Sequence, residues 1–156
     1  MKFIAHRGNI TGPNTNLENK PNYIDKAISS GYEVEIDIRF ISNELYLGHD
    51  TPQYKIDISW LKERSSSLWI HCKNIDGLGF FNKINDSFKY FWHQEDEYTL
   101  TSNKKIWTYP NKKLYLDSIC VMPEKGINGN INLCYGICSD YIKEYNEKYI
   151  SNRSTS

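Results

Sequence analysis

Apolar and polar residues alternate strictly over residues 33–40. Val34, Ile36 and Ile38 fall on one side, and Glu33, Glu35, Asp37 and Arg39 on the other. A period of two predicts a strand with two chemically distinct faces. Shorter apolar runs predict further strands at residues 2–5, 45–47, 68–72, 90–93, 118–122 and 135–138. Residues 98–101 and 106–109 read as two more, joined by a polar turn. Helical spacing appears in between. Tyr23, Ile24, Ala27 and Ile28 predict a helix that starts at Pro21, where a missing N–H costs nothing, and stops at Gly31. Residues 58–64 predict a second helix with Asp57 as its cap. Leu78, Phe80, Phe81 and Ile84 mark a third, and Tyr141, Ile142, Tyr145 and Tyr149 a last one.

The first half therefore reads β-α-β-α-β-α-β, and the second half has strands with few crossover helices. An α/β fold with right-handed crossovers follows. If the sheet closes, the result is a reduced TIM-type (β/α) barrel with several outer helices missing in the second half. The 156 residues are short for a full barrel of about 250. They suit one domain, residues 1–150, followed by a polar tail, 151–156, expected to fray.

Lys+Arg 19 and Asp+Glu 19 cancel. No long basic run occurs, so nucleic acid is not an expected partner. No apolar run reaches transmembrane length, and the N-terminal residues are too short for the apolar part of a signal peptide. A cytoplasmic location is expected. Cys72, Cys120, Cys134 and Cys138 form no paired CxxC, which favours buried reduced thiols over a zinc site.

Within the first fifty residues lie His6-Arg7-Gly8, Glu18-Asn19, Glu35-Ile36-Asp37 and Gly48-His49-Asp50. Glu35 and Asp37 share a strand face about 7 Å apart along the backbone, so their carboxylates can converge on one hard divalent cation. An isolated Glu-x-Asp pair is better explained by a solvated edge strand, but the flanking His6 and His49 shift the reading to the metal. A side chain at the C-terminal end of a barrel strand points into the mouth, and His6 and His49 both follow predicted strands. Two imidazoles can divide the work at neutral pH: one takes a proton from the nucleophile, the other gives one to the leaving alkoxide. Arg7 can contact phosphate oxygens in bidentate fashion. Trp107 and Tyr109 read equally as substrate-stacking or core-filling aromatics. Asp50 reads as a partner for His49 or as a turn residue. His93, before three acids, reads first as part of a solvated loop, with an extension of the site or a contact to a cationic headgroup as the alternative.

In type, order and spacing these motifs resemble the glycerophosphodiester phosphodiesterase family, in the superfamily of phosphatidylinositol-specific phospholipases C and sphingomyelinase D toxins. The resemblance covers about the first third of the chain. It implies a TIM barrel holding Mg2+ or Ca2+, with Glu35 and Asp37 as metal ligands and His6 and His49 as the acid/base pair. It further implies that Arg7 binds phosphate and that Glu18 supports the metal or His6. In Ile70-His71-Cys72-Lys73 the family has carboxylate-x-Lys, so Lys73 is implied as a second phosphate contact. Residues 136–140 resemble the family's closing Gly-Ile-x-Thr-Asp segment. One departure stands out: His71 occupies the place of the third acidic ligand. Imidazole suits softer ions than Mg2+ or Ca2+, which adds Mn2+ to the candidates. Three roles stay open for His71: direct ligand, holder of a bound water, or bystander to a metal held by Glu35, Asp37 and Glu18. The implied activity is metal-dependent hydrolysis of a glycerophosphodiester or similar small phosphodiester, by water or by a substrate hydroxyl. The rival readings are a lipid-directed phospholipase of the same superfamily and a catalytically silent barrel that binds phosphorylated ligands.

Overall fold

The structure is a computed structural model and describes residues 1–84 and 87–154. Its strands are β1 (Lys2–His6), β2 (Glu33–Ile41), β3 (Glu44–Leu47), β4 (Tyr54–Ile56), β5 (Leu68–Cys72), β6 (Lys89–Trp92), β7 (Tyr98–Leu100), β8 (Ile106–Thr108), β9 (Ser118–Val121) and β10 (Gly136–Ser139). Its α-helices are α1 (Pro21–Ser29), α2 (Ile58–Arg64), α3 (Ile75–Lys83) and α4 (Ile142–Ser154). One path of eight strands runs β4-β3-β2-β1-β10-β9-β8-β7, and β5 and β6 branch from β2. The order β6-β5-β2-β1-β10-β9-β8 is parallel throughout. The hairpin β3-β4 continues along β2 beyond the end of β1.

This sheet curls into a half-barrel and does not close, which corrects the expected TIM-type barrel. β7 turns back antiparallel on β8, and β6 pairs with β5 alone. A loop bridges the gap: the Ser102 N–H donates to the Tyr90 carbonyl at 2.9 Å, and its hydroxyl accepts from the Tyr90 N–H at 3.0 Å. As expected, the outer face is sparsely covered in the second half; among the described residues no α-helix lies between β6 and β10, and Leu100 and Leu116 are exposed.

The two sides of β2 separate as its alternation predicts. Val34, Ile36 and Ile38 pack with Leu68, Ile70 and Cys72 of β5 under Ile24, Ala27, Leu61 and Phe81 from the helices. A second core fills the concave side, built from Ile4, Trp69, Phe91, Trp107, Ile119, Val121 and Cys138. Burying each such large apolar side chain contributes about 1.5–3 kcal/mol. Trp69 is fully buried, and its indole N–H donates to Glu33 at 2.6 Å. Glu33 also holds Lys2 at 2.5 Å and Lys89 at 2.8 Å, which plugs the N-terminal end of the sheet with paired charges. Trp69→Ala is expected to cost about 3–5 kcal/mol, as read from denaturant midpoints; a loss below about 1 kcal/mol would remove Trp69 from the core.

Several local details differ from the sequence reading. β4 was not expected, because three residues carry too little pattern. α4 reaches Ser154, into the segment expected to fray. Asp57 precedes α2 without a side-chain capping bond, whereas Asn74 caps α3 by accepting from the Gly77 N–H. All four cysteines are free and buried, and burial pushes the thiols of Cys72 and Cys120 up to about 12. They are therefore unreactive thiols at neutral pH. No helix among the described residues is long and apolar enough to cross a membrane.

Candidate metal centre and acid/base site

Parallel strands deliver their C-terminal ends to one rim, where ligands of α/β sheets bind. His6 ends β1, Glu35 and Asp37 lie on β2, His71 lies on β5, and Asp140 follows β10. Register sets the neighbours: His6 stands opposite Glu35, and Asp37 opposite His71. Odd-numbered residues of β2 face inward, so Glu35 and Asp37 enter the concave side together.

Glu35, Asp37 and His71 form a buried group able to hold a metal ion, with one ligand atom from each lying within 4.8 Å of the others. His71 Nδ1 is 3.1 Å from Asp37 Oδ1 and 3.6 Å from Glu35 Oε1. Two ligand atoms each about 2.1 Å from an ion, at right angles, lie about 3 Å apart, so the spacing fits a small divalent cation. Two further observations support the fit. Asp37 Oδ1 is buried, and the polar atom beside it is Nδ1 of His71. His71 Nε2 lies 3.0 Å from the His93 carbonyl. When that nitrogen donates, a neutral His71 turns the lone pair of Nδ1 toward the two carboxylates, the arrangement that orients histidine ligands in metal sites.

The surrounding bonds fix the carboxylates. Asn19 clamps Asp37 twice: its amide donates to Oδ2 at 2.9 Å, and its carbonyl oxygen accepts from the Asp37 N–H at 2.9 Å. Asn19 adopts a positive φ of 61°, which asparagine tolerates better than most residues. Asn9 is fully buried and donates to both Glu18 and Asp140 at 2.9 and 2.8 Å. Its own oxygen accepts from the Asn14 N–H and the Tyr23 hydroxyl.

Four carboxylates, Glu18, Glu35, Asp37 and Asp140, thus surround one arginine. Buried negative charge requires compensation, and the histidines provide part of it. Burial opposes the charged form of His71, but the hydrogen bonds and charges of Asp37 and Glu35 outweigh it and lift its pKa to about 9. Burial raises Asp37, and the opposing pull of His71, Arg7 and Asn19 takes it well below the usual carboxylate range. Burial likewise opposes charge on His6; its hydrogen bond to Asp140, 2.7 Å from Nδ1, and the nearby Glu35 raise its pKa. A cation at Nδ1 of His71 would take over the role of that residue's proton.

The expected site residues mostly converge. His6, Arg7, Glu35, His49, His71 and Lys73 line one cavity of 360 Å³. His49 is half exposed, with Nδ1 2.7 Å from Asp50. Glu18 lies outside the trio able to hold a metal and accepts from Arg7 at 3.1 Å and from Asn9. Arg7 is tied to carboxylates: besides Glu18, its Nε lies 3.1 Å from Asp37 Oδ2. Tyr109 and His93 stack face to face at 3.7 Å, Trp107 is buried against Phe91 at 4.5 Å, and all three of Tyr109, His93 and Trp107 line the cavity. His93 is largely buried rather than a solvated loop residue. Burial and the adjacent His71 lower its pKa to about 4, so it is neutral.

Sequence reasoning missed the roles of Asn9, Asn19 and Asp140. Asn9 and Asn19 sit in a loop rich in turn formers, where asparagine reads as a turn residue. Compared with protein-family models, with curated proteins and with solved structures, the chain has no match.

Proposed function

We propose that this chain is a divalent-metal-dependent phosphodiester hydrolase acting on a glycerophosphodiester or a similar small diester. The observation that carries the reading is the buried trio of Glu35, Asp37 and His71, with ligand atoms within 4.8 Å of one another, at a rim that also holds His6 and His49. A divalent cation held by Glu35, Asp37 and His71 would neutralise charge developing on the nonbridging phosphate oxygens. Mn2+ suits this mixed oxygen and nitrogen donor set better than Mg2+ or Ca2+.

The side chains divide the proton transfers. Asp140 accepts from Nδ1–H of His6 and leaves Nε2 to take the proton of the attacking oxygen, and it stabilises the imidazolium that results. His49, nearer solvent, gives a proton to the leaving alkoxide. Arg7 and Lys73 line the cavity where phosphate oxygens would sit. The cavity volume of 360 Å³ is at the small end for ligand sites. None of the exposed large apolar side chains lines it, Leu100 and Leu116 included. A lipid-directed enzyme needs an apolar rim, so a soluble diester is favoured.

The test is hydrolysis of bis(p-nitrophenyl) phosphate and of an alkyl glycerophosphodiester with added Mn2+, Mg2+ or Ca2+. Turnover abolished by a chelator and restored by metal is expected. Binding of the diesters without turnover under any of the three metals would instead favour the silent barrel.

A further inference from the structure

We infer that Arg39 is a positioning residue for His49, acting through the backbone of the loop that carries it. Arg39 is the next inward-facing residue of β2 after Glu35 and Asp37. Its Nη2 donates to the carbonyls of His49 at 2.7 Å and Asp50 at 3.1 Å, and its Nη1 to the carbonyl of Lys73 at 3.4 Å. One planar guanidinium thus joins the loop after β3 to the segment after β5. Those two segments carry the proposed proton donor and one proposed phosphate contact.

His49 has little else to hold it. Its ring is half exposed, and its side-chain partner Asp50 is itself 90% exposed. The loop is sharply turned at Gly48, where φ is 145° and a Cβ would lie 2.1 Å from the Thr51 carbonyl. Its backbone is pinned at either end by Gly48 N–H to Asp37 and Gln53 N–H to Leu47. Between those pins, Arg39 is the side chain that bonds the His49 carbonyl. Arg39 forms no ion pair among the described residues, and its Nε is buried without a partner. A buried unpaired N–H is destabilising, so the residue is poorly explained by stability alone. A rigid fork is suited to holding three carbonyls at once, and a lysine ammonium is not.

The kinetic arm of the test rests on the hydrolase reading; the structural arm does not. Arg39→Met keeps the packing of the stem, and Arg39→Lys keeps the charge. A p-nitrophenolate group leaves without a proton, whereas a glycerol alkoxide needs one. Arg39→Met is expected to lower kcat about 10- to 100-fold on the alkyl diester and less than about threefold on the p-nitrophenyl diester. KM should change little, and Arg39→Lys should recover part of the loss. Backbone amide exchange at Gly48 and Gln53, the two bonded amides that pin the loop, should speed up about tenfold or more in Arg39→Met while the core strands stay protected. Equal losses on both diesters, or unchanged exchange in that loop, would overturn the assignment. If the wild-type protein turned over neither diester, the hydrolase reading would fall, and the exchange comparison alone would decide for or against the clamp.

Discussion

Asp37→Asn is expected to weaken Mn2+ or Mg2+ binding by more than about a hundredfold, since loss of even an outer partner of a metal ligand costs 10- to 100-fold. The substitution preserves shape, and Asn19 can still bond the backbone N–H of residue 37. What changes is the charge. Oδ1, the atom that faces His71 at 3.1 Å, becomes a neutral amide atom. Arg7 and His71 lose the anion between them, and breaking a buried ion pair by removing one partner typically costs about 3–5 kcal/mol. Calorimetric titration and denaturant unfolding measure the two effects. Unaltered metal affinity would remove Asp37 from the ligand set.

The pH dependence follows from the same groups. With His71 lifted to about 9, its proton competes with the cation. Apparent metal affinity should rise about tenfold per pH unit from pH 7 and level off above about pH 9. The metal-free fold behaves in the opposite sense. A raised histidine pKa contributes stability that is full below about 6.5 and lost as pH rises through about 9. A lowered Asp37 contributes stability above its ordinary 3.8 that is lost as pH falls further. The metal-free protein should therefore be most stable between about pH 4 and 6.5. A flat stability profile from pH 6 to 9 would contradict the His71–Asp37 pairing.

His6→Ala is expected to lower kcat about 10²- to 10⁴-fold while the fold survives. His6 belongs to a polar cluster, and Asn9 still donates to Asp140 without it. With His6 proposed to act on the nucleophile, the loss should be similar for alkyl and p-nitrophenyl diesters. His49→Ala, by contrast, should spare the p-nitrophenyl substrate. The base must be neutral, and His6 has a raised pKa. Activity should therefore climb with pH along a limb above the ordinary imidazole value, and Asp140→Asn should shift that limb down while reducing kcat. Wild-type turnover in His6→Ala would refute its role.

Legibility in the sequence followed the range of the interaction. The strict alternation of β2 was enough to put Glu35 and Asp37 on one inward face, because that is a property of consecutive residues. The position of His71 beside Asp37 depends on the β2–β5 register, and its residue type came into view through the resemblance. Its neighbourhood with two carboxylates explains why an imidazole is tolerated there. His6 and Asp140 are 134 positions apart, and no local pattern pairs them. Arg39 looked like one more polar residue on the strand, since its targets are backbone carbonyls with no residue signature. The open barrel was hidden for a similar reason: the apolar runs of β6, β7 and β8 mark strands without saying which edges meet.

The central claim is that Glu35, Asp37 and His71 share one cation. A crystal of the protein soaked in Mn2+ and measured for anomalous scattering tests it most directly. One peak is expected about 2.0–2.4 Å from Glu35, Asp37 Oδ1 and His71 Nδ1. A map with no peak among those three side chains, or with the ion seated on Glu18 instead, would contradict it.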